Sequence, residues 1–152
     1  NNSGEMRMAH LTWSSDLDTG ISVIDNQHRR IVDYINQLNH AIEAGDRDEI
    51  AEVLEELVDY TLSHFAFEED LMEKAGYPFT NAHKKVHKLF VKRVADFQQR
   101  FQLGEDIGRQ LHTVLRTWLL NHIRHDDADY AEPVKKTMNE GQKRGLFKRL
   151  FG

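Results

Sequence analysis

The sequence predicts an all-α fold, an antiparallel up-down four-helix bundle. Apolar residues recur at spacings of three and four over long stretches, which is the period of an amphipathic helix. No convincing run of alternating apolar and polar residues predicts a strand, and the 152 residues include only two prolines. Because short turns separate these stretches, neighbouring helices are expected to run antiparallel within one domain.

Composition narrows the function classes. The sequence has 30% charged residues and no cysteine, its mean hydropathy is -0.64, and no apolar run approaches the length of a membrane span. We therefore expect a soluble protein without disulfides. A cytoplasmic location is predicted because both cysteine and a recognisable leader are absent. The net charge of -5 argues against nucleic acid as the main partner.

The chain divides into three predicted segments. Residues 1–9 are expected to be a disordered leader or a tag remnant, and residues 10–140 the helical domain. Residues 141–152 are expected to form a short helical tail. It either docks on its own bundle or a second subunit, or makes weak contact with an anionic membrane or a membrane-bound protein. Its basic side carries Lys143, Arg144, Lys148 and Arg149, and its apolar side carries Leu146, Phe147, Leu150 and Phe151.

The domain opens with an irregular N-terminal arm, residues 10–24. Turn-forming residues interrupt its apolar ones, so the arm is expected to lie over the bundle with Trp13 as its anchor. The first helix is predicted over residues 25–44 and ends at Gly45. Its apolar stripe includes a histidine and consists of Ile24, His28, Ile31, Ile35, Leu38 and Ile42.

The second helix is predicted to begin at a capping box formed by Asp46 and Glu49. Its buried face carries His64 and Glu68 four residues apart, and residues at that spacing lie on one side of a helix. A turn at Gly76 ends it. The stripe of this helix consists of Ile50, Leu54, Leu57, Thr61, His64, Glu68 and Leu71.

The third helix is predicted to begin near Thr80 and to end before Gly104. Its buried face carries two histidines four residues apart, and its stripe consists of His83, His87, Phe90, Val94, Phe97 and Phe101. The fourth helix follows, and its stripe consists of Leu111, Leu115, Trp118 and His122. Each of the four predicted helices therefore carries histidine on its buried face.

The buried histidines are predicted to share one level of the bundle. His28 and His64 lie 17 and 19 residues from the turn at Gly45, and His87 and His122 lie 17 and 18 residues from the turn between the third and fourth helices. A rise of about 1.5 Å per residue then brings them to a common height. Because unpaired buried polar groups cost about 1 to 3 kcal/mol each, this arrangement predicts a metal centre. Imidazole with carboxylate suits iron, and less selectively zinc or manganese.

These residues resemble the hemerythrin family, specifically the single-domain bacteriohemerythrins. The resemblance covers residues 13–151 and rests on four specific motifs. The motifs are Asp-Asn-Gln-His ending at His28, His64-x-x-x-Glu68, His83-x-x-x-His87, and Trp118-Leu-Leu-Asn-His122-Ile-x-x-x-Asp127.

The resemblance implies a non-haem di-iron centre with a bridging oxo or hydroxo group. One iron would be held by His83, His87 and His122, and the other by His28 and His64. The bridging carboxylates would be those of Glu68 and Asp127. Counting these ligands leaves one open coordination position on the two-histidine iron, where dioxygen would bind. The resemblance also implies an oxygen pocket lined by Trp118, Leu119 and Ile123.

Spacing and resemblance disagree about one ligand. On an ideal helix Asp126 lies about 40° from His122, whereas Asp127 lies about 140° away. Spacing alone therefore favours Asp126, and the resemblance favours Asp127. The second choice predicts that the helix loosens or ends locally, for example as a π-bulge.

The predicted function is reversible dioxygen binding for storage, delivery or sensing, without enzymatic activity, in a monomer or weak homo-oligomer. The alternative is a di-iron enzyme or a protein that handles nitric oxide or peroxide. Ferritin-like oxidases use Glu-x-x-His pairs, and the sequence contains none. A zinc-filled structural bundle would not need so many ligands. The four remaining histidines are predicted to be surface residues or neighbours of the site, and they are His10, His40, His112 and His125.

Overall fold

A computed structural model describes residues 10–151, with the backbone alone at positions 142–143, 146–149 and 151. The prediction for residues 1–9 lies outside the described residues. The same holds for most of the side chains that the predicted amphipathic tail depends on, so the tail's contacts stay a prediction.

The predicted all-α bundle is confirmed. Four α-helices follow one another along the chain, with short turns between them: α1 (Ser22–Ala44), α2 (Arg47–Lys74), α3 (Thr80–Gln102) and α4 (Gly108–Asn121). A π-helical segment, His122–Asp127, then continues α4 directly into α5 (Ala128–Phe151). No strand occurs within residues 10–151, and α4, the π segment and α5 together form the fourth rod of the bundle. In this same range no helix has the length and apolar character that a membrane span requires.

The helix ends follow the predicted local signals. Gly45 lies after α1 with a φ of 66°, the left-handed conformation that glycine adopts without a steric penalty. The side chain of Asp46 accepts a hydrogen bond from the backbone N–H of Glu49 at 3.1 Å and so caps the start of α2. The third helix begins at Thr80, as predicted.

Two apolar cores lie at different levels of the bundle. The larger core includes Ile31, Leu57 and Leu119, and the smaller one includes Ile24, Met72 and Tyr130. Along α1, along α2 and along the fourth rod, one residue of each core stands on either side of the predicted metal-binding positions. The polar level of the bundle is therefore closed above and below by apolar side chains.

The N-terminal arm is fixed to the bundle by buried contacts. Leu11 and Leu17 are buried in the larger core, and Trp13 packs against it. The carboxylate of Asp25 accepts hydrogen bonds from the backbone N–H and the hydroxyl of Thr19, both at 2.8 Å, and from the N–H of Gly20 at 3.1 Å. One buried side chain thus holds the turn that leads from the arm into α1.

Replacing Asp25 by Ala should therefore loosen the arm. The change leaves buried donors without acceptors, so we expect the free energy of unfolding to fall by about 1 to 3 kcal/mol. Asp33→Ala is the matched control, because Asp33 is an exposed carboxylate on the same helix and its loss should change stability by less than about 0.5 kcal/mol. Urea unfolding of both variants measures the difference, and equal losses would contradict the assigned role of Asp25.

Candidate metal centre

Seven polar side chains meet at the centre of the bundle, none of them more than 5% exposed. We call them the histidine–carboxylate cluster, and they are His28, His64, Glu68, His83, His87, His122 and Asp127. They come from α1, α2, α3 and the two ends of the π segment. The common level that residue counting predicts is thus observed.

The cluster consists of two groups that share one carboxylate. Glu68 with His28 and His64 forms the smaller group. The larger group consists of Glu68, His83, His87, His122 and Asp127. Within each group the candidate ligand atoms all lie within 4.8 Å of one another, so each group could hold a metal ion.

Glu68 faces both groups, one oxygen to each. Its Oε1 atom contacts Nε2 of His64 and lies 3.4 Å from Nε2 of His28, whereas its Oε2 atom lies 3.6 Å from Nε2 of His83. A carboxylate in this orientation can bridge two metal ions.

Asp127 repeats this arrangement from the fourth rod. Its Oδ2 atom lies 3.0 Å from Nε2 of His28. Its Oδ1 atom lies 3.1 Å from Nε2 of His83 and 3.0 Å from Nε2 of His122. Both carboxylates therefore present one oxygen to each group of histidines.

The arrangement of the cluster's nitrogen and oxygen atoms suits binding to metal cations better than hydrogen bonding among themselves. All four oxygens of Glu68 and Asp127 lack a hydrogen-bond partner among the described residues, and so do the Nε2 atoms of His28, His64 and His83. The Nε2 atoms of His87 and His122 face each other at 3.1 Å. Buried polar atoms without partners are costly, and a cation at their point of convergence satisfies several at once.

The π segment brings Asp127, and not Asp126, into the cluster. A π turn is closed by i→i+5 hydrogen bonds, so His122 and Asp127, five residues apart, come to the same face. Asp127 is fully buried in the cluster. Asp126 lies behind His122, where its Oδ2 atom accepts a hydrogen bond from Nδ1 at 2.8 Å, and 42% of its side chain is exposed. The choice of Asp127 predicts that the helix loosens or ends locally, and the helix does loosen here, as a π segment.

Two other histidines of the cluster also use Nδ1 to reach an oxygen acceptor. The Nδ1 atom of His64 lies 2.6 Å from Oε1 of Gln27, and that of His87 lies 3.4 Å from Oε1 of Glu69. A partner at Nδ1 fixes the tautomer and leaves Nε2 free to bind a metal. Sequence reasoning missed these acceptors, although each adjoins a predicted ligand in the chain.

The buried charges shift the pKa values of the cluster strongly. Burial opposes protonation of His28 and His83, but the close approach of Asp127 and Glu68 outweighs it and raises both pKa values to about 9. The same balance, with Asp127 and Asp126 as partners, raises the pKa of His122 to about 10.

The pKa values of His87, Glu68 and Asp127 are lowered instead. Burial lowers the pKa of His87 to about 3, so its imidazole is neutral. Burial raises the pKa of Glu68 and of Asp127, but the surrounding imidazoles outweigh that effect and hold both pKa values well below their usual range. Both carboxylates are therefore ionised, which is the form that binds a cation.

Aromatic rings enclose the larger group. Phe65 stacks on His87 with ring centroids 3.7 Å apart, and Trp118 stacks on His122 at 4.4 Å. Phe90 covers the Trp118 ring at 3.7 Å. These contacts fix the imidazole planes and keep water away from them, and the role of the two phenylalanines was not predicted.

A small cavity of about 10 Å³ adjoins His28 and His64, with His122 also in its wall. It is about large enough for one small molecule. Trp118 and Leu119 line it, whereas Ile123 is buried in the π segment and does not. The rest of its wall is formed by Ile31, Ile35, Leu57, Thr61, Phe65, Phe90 and Leu115.

Tyr130 is a further buried group that sequence reasoning missed. Its ring lies 5.5 Å from that of His83, and its hydroxyl has no hydrogen-bond partner among the described residues. Burial and the charges of Glu68 and Asp127 raise its pKa, so the phenol stays protonated. The spacing of three residues from Asp127 is the signal that could have identified it.

The four remaining histidines lie outside the cluster. His10, His40 and His125 are exposed, and His112 is buried within α4. Burial lowers the pKa of His112, so it is a neutral core residue. His125 lines a wider surface pocket of about 510 Å³ that reaches His122 and Asp126 from the α3 and α4 side.

Comparison with known proteins gives a consistent result. The family model described as the hemerythrin HHE cation binding domain matches residues 19–132, a range that lies within the predicted domain, residues 10–140. A protein named bacteriohemerythrin from Pseudomonas aeruginosa is 60% identical over 133 residues, covering 88% of this chain and 87% of the relative. The bacteriohemerythrin of Stenotrophomonas maltophilia is 54% identical over 153 residues, covering 95% of this chain and 100% of the relative.

Solved structures show the same architecture. The crystal structure of a wild-type hemerythrin superposes with a TM-score of 0.79 at 35% sequence identity, covering 83% of this chain and 98% of that chain. Among more distant sequence relatives, the bacteriohemerythrin of Methylococcus capsulatus is 38% identical over 126 residues, covering 82% of this chain and 96% of the relative.

The raised imidazole pKa values predict how the metal-free protein responds to pH. Because the pKa values of His28, His83 and His122 rise from 6.5 to about 9, 9 and 10, their contribution to stability is complete below 6.5 and is lost as the pH rises through 9 to 10. Urea unfolding of chelator-treated protein should give a lower free energy of unfolding at about pH 10 than at about pH 7.

Metal-loaded protein is the control for this prediction. Metal-bound imidazoles are already neutral, so the loaded protein should not show the same loss of stability between these two pH values. Equal pH dependence of the loaded and metal-free forms would contradict the assignment of these histidines as metal-binding groups.

Proposed function

The chain belongs to the hemerythrin family, and on that premise we propose that it binds dioxygen reversibly at two iron ions held by the histidine–carboxylate cluster. His83, His87 and His122 form the three-histidine position, and His28 and His64 form the two-histidine position. Both positions share Glu68 and Asp127. The observation that carries the proposal is the orientation of these two carboxylates, each of which turns one oxygen to each position.

Iron bound at such a pair of positions supplies the electrons that dioxygen binding requires. The chain's own residues contribute position, charge and exclusion of water. Glu68 and Asp127 provide two negative charges where no solvent can reach them, and five imidazoles complete the donor set. The rings of Phe65 and Trp118 hold His87 and His122 in a fixed plane.

The small cavity supports binding of a diatomic ligand at the two-histidine position. It touches both histidines of the two-histidine position, His28 and His64, but only His122 of the other position, and its other walls are mostly apolar. Apart from the cluster histidines, no titratable side chain lines it among the described residues. A cavity of about 10 Å³ without a separate proton donor favours a reversible binding protein over an enzyme that acts on a larger substrate.

The first test is spectroscopic. Protein loaded with ferrous iron without air should hold two irons per chain, because the two groups of the cluster each offer one metal position. This form should be colourless. Air should produce strong near-ultraviolet and visible absorption, and flushing with inert gas should remove it. Steady consumption of oxygen or hydrogen peroxide without this reversible absorption would favour a di-iron enzyme.

Replacing His64 by Ala should remove iron from the two-histidine position first, since that position has fewer imidazoles to lose. We expect the iron content to fall towards one per chain and the oxygen-dependent absorption to vanish. His40→Ala is the control, because His40 is an exposed histidine on α1. Iron analysis and spectra of both variants test this, and full iron content in the His64 variant would contradict the assignment.

Leu119 is buried and lines the cavity, so its truncation should enlarge the space beside the two-histidine position and admit water to the site. Leu119→Ala should keep its iron content and speed the irreversible oxidation of the oxygenated protein. It should also lose about 2 to 5 kcal/mol of stability, as is usual when a buried leucine is truncated. The rate is measured from the decay of the oxygen-dependent absorption in air.

Leu111→Ala is the matched control for the cavity variant. Leu111 is a fully buried leucine on the same helix and does not line the cavity. It should lose comparable stability without a change in the oxidation rate. Equal rates for the two folded variants would show that Leu119 is only a packing residue.

A further inference from the structure

The two metal positions differ in the hydrogen-bond acceptors that contact the Nδ1 atoms of their histidines. Behind His122 of the three-histidine position is the carboxylate of Asp126, 2.8 Å from Nδ1, and behind His87 is that of Glu69, at 3.4 Å. Behind His64 of the two-histidine position is the neutral amide of Gln27, at 2.6 Å. The Nδ1 atom of His28 has no hydrogen-bond partner among the described residues. Among these acceptors, the charged ones therefore all belong to the three-histidine position.

The charge of an acceptor at Nδ1 changes the strength of the imidazole as a ligand. A carboxylate draws the Nδ1 proton towards itself and increases the electron density at Nε2, which binds a cation more strongly. An amide oxygen fixes the tautomer in the same way but draws the proton less. The acceptors that back metal-binding histidines typically change metal affinity by about 10-fold to 100-fold.

We propose that Asp126 and Gln27 are positioning residues that make the two metal positions unequal, so that the three-histidine position binds its ion more tightly than the number of imidazoles alone would give. This inference rests on the proposed function. It assigns Asp126 a role through His122 and Gln27 a role through His64, and neither residue touches the metal.

The geometry of the π segment supports the role of Asp126. The wide turn brings Asp127 to the cluster. Asp126, four residues after His122, then lies against the outer edge of the His122 ring, at Nδ1. Asp126 is partly exposed in the wide surface pocket, where a carboxylate is ionised at neutral pH. The His122 ring is also held by Trp118, so Asp126 can be changed without freeing the ring.

Gln27 contacts His64 from a neighbouring helix. It lies on α1 beside His28, and its Oε1 atom contacts His64 of α2. The side chain is partly buried rather than enclosed, so a carboxylate of the same shape fits without an unpaired buried charge. Gln27→Glu therefore changes the charge behind His64 with little change in packing.

Titration of the metal-free protein with zinc tests the proposal without any contribution from oxygen chemistry. Competition with a chromophoric chelator should resolve two dissociation constants in the full chain. Asp126→Asn should weaken the tighter one by about 10-fold or more and leave the other unchanged. Asp129→Asn removes the same charge from an exposed site nearby and should change neither constant.

The reverse change is made at Gln27. Gln27→Glu should strengthen the weaker zinc position by about 10-fold and so narrow the difference between the two. Asn26→Asp adds the same charge at the neighbouring exposed position and is the control. Thermal unfolding of the metal-free variants, measured in parallel, identifies any change that comes from the fold instead of the site.

The outcomes separate this inference from the proposed function. If Asp126→Asn and Asp129→Asn give the same constants, or if Asp126→Asn weakens both positions equally, the positioning role is overturned. If the wild-type chain binds zinc at two positions but its iron form shows no oxygen-dependent absorption, the proposed function fails while the inference stands. If only one zinc binds, both fail.

Discussion

The structure depends on balancing the charge that the histidine–carboxylate cluster brings into the core. Ionised carboxylates at full burial are unfavourable unless cations oppose them. In the metal-free chain those cations are protons, which His28, His83 and His122 retain against burial because Glu68 and Asp127 face them. Metal ions bound as proposed would replace these protons with a higher and more localised charge. Packing on either side of the cluster keeps these charged groups away from solvent.

One irregular turn lets the fourth rod bring two side chains, His122 and Asp127, to the cluster. Residues five apart on a regular helix point about 140° away from each other, so such a helix could carry His122 or Asp127 to the cluster but not both. The π segment widens the turn and carries both. It also places Asp126 behind the imidazole, where it supports a neighbour instead of occupying the centre. Irregular helical turns of this kind are common at functional sites, where position outweighs regularity.

Periodicity and turn residues were sufficient to predict the four helices, the common level of the histidines and the inward direction of Glu68. They failed at Asp127, because an ideal helix turns that residue away and no residue in the π segment signals the change by itself. The resemblance indicated that residue. The stacking of Phe65 on His87 was also beyond reach, because contacts between helices depend on rotation and offset that one-dimensional spacing does not contain.

The polar level between two apolar cores has a consequence for the living cell. Several donor atoms of the cluster lack a hydrogen-bond partner among the described residues. The folded state therefore gains stability from any ion that binds it and does not bind the unfolded chain. Above the dissociation constant, each tenfold rise in free metal adds about 1.4 kcal/mol per position. That amount is a substantial fraction of the total stability of a typical domain, about 5 to 15 kcal/mol. The abundance of the folded protein would therefore follow the supply of its metal.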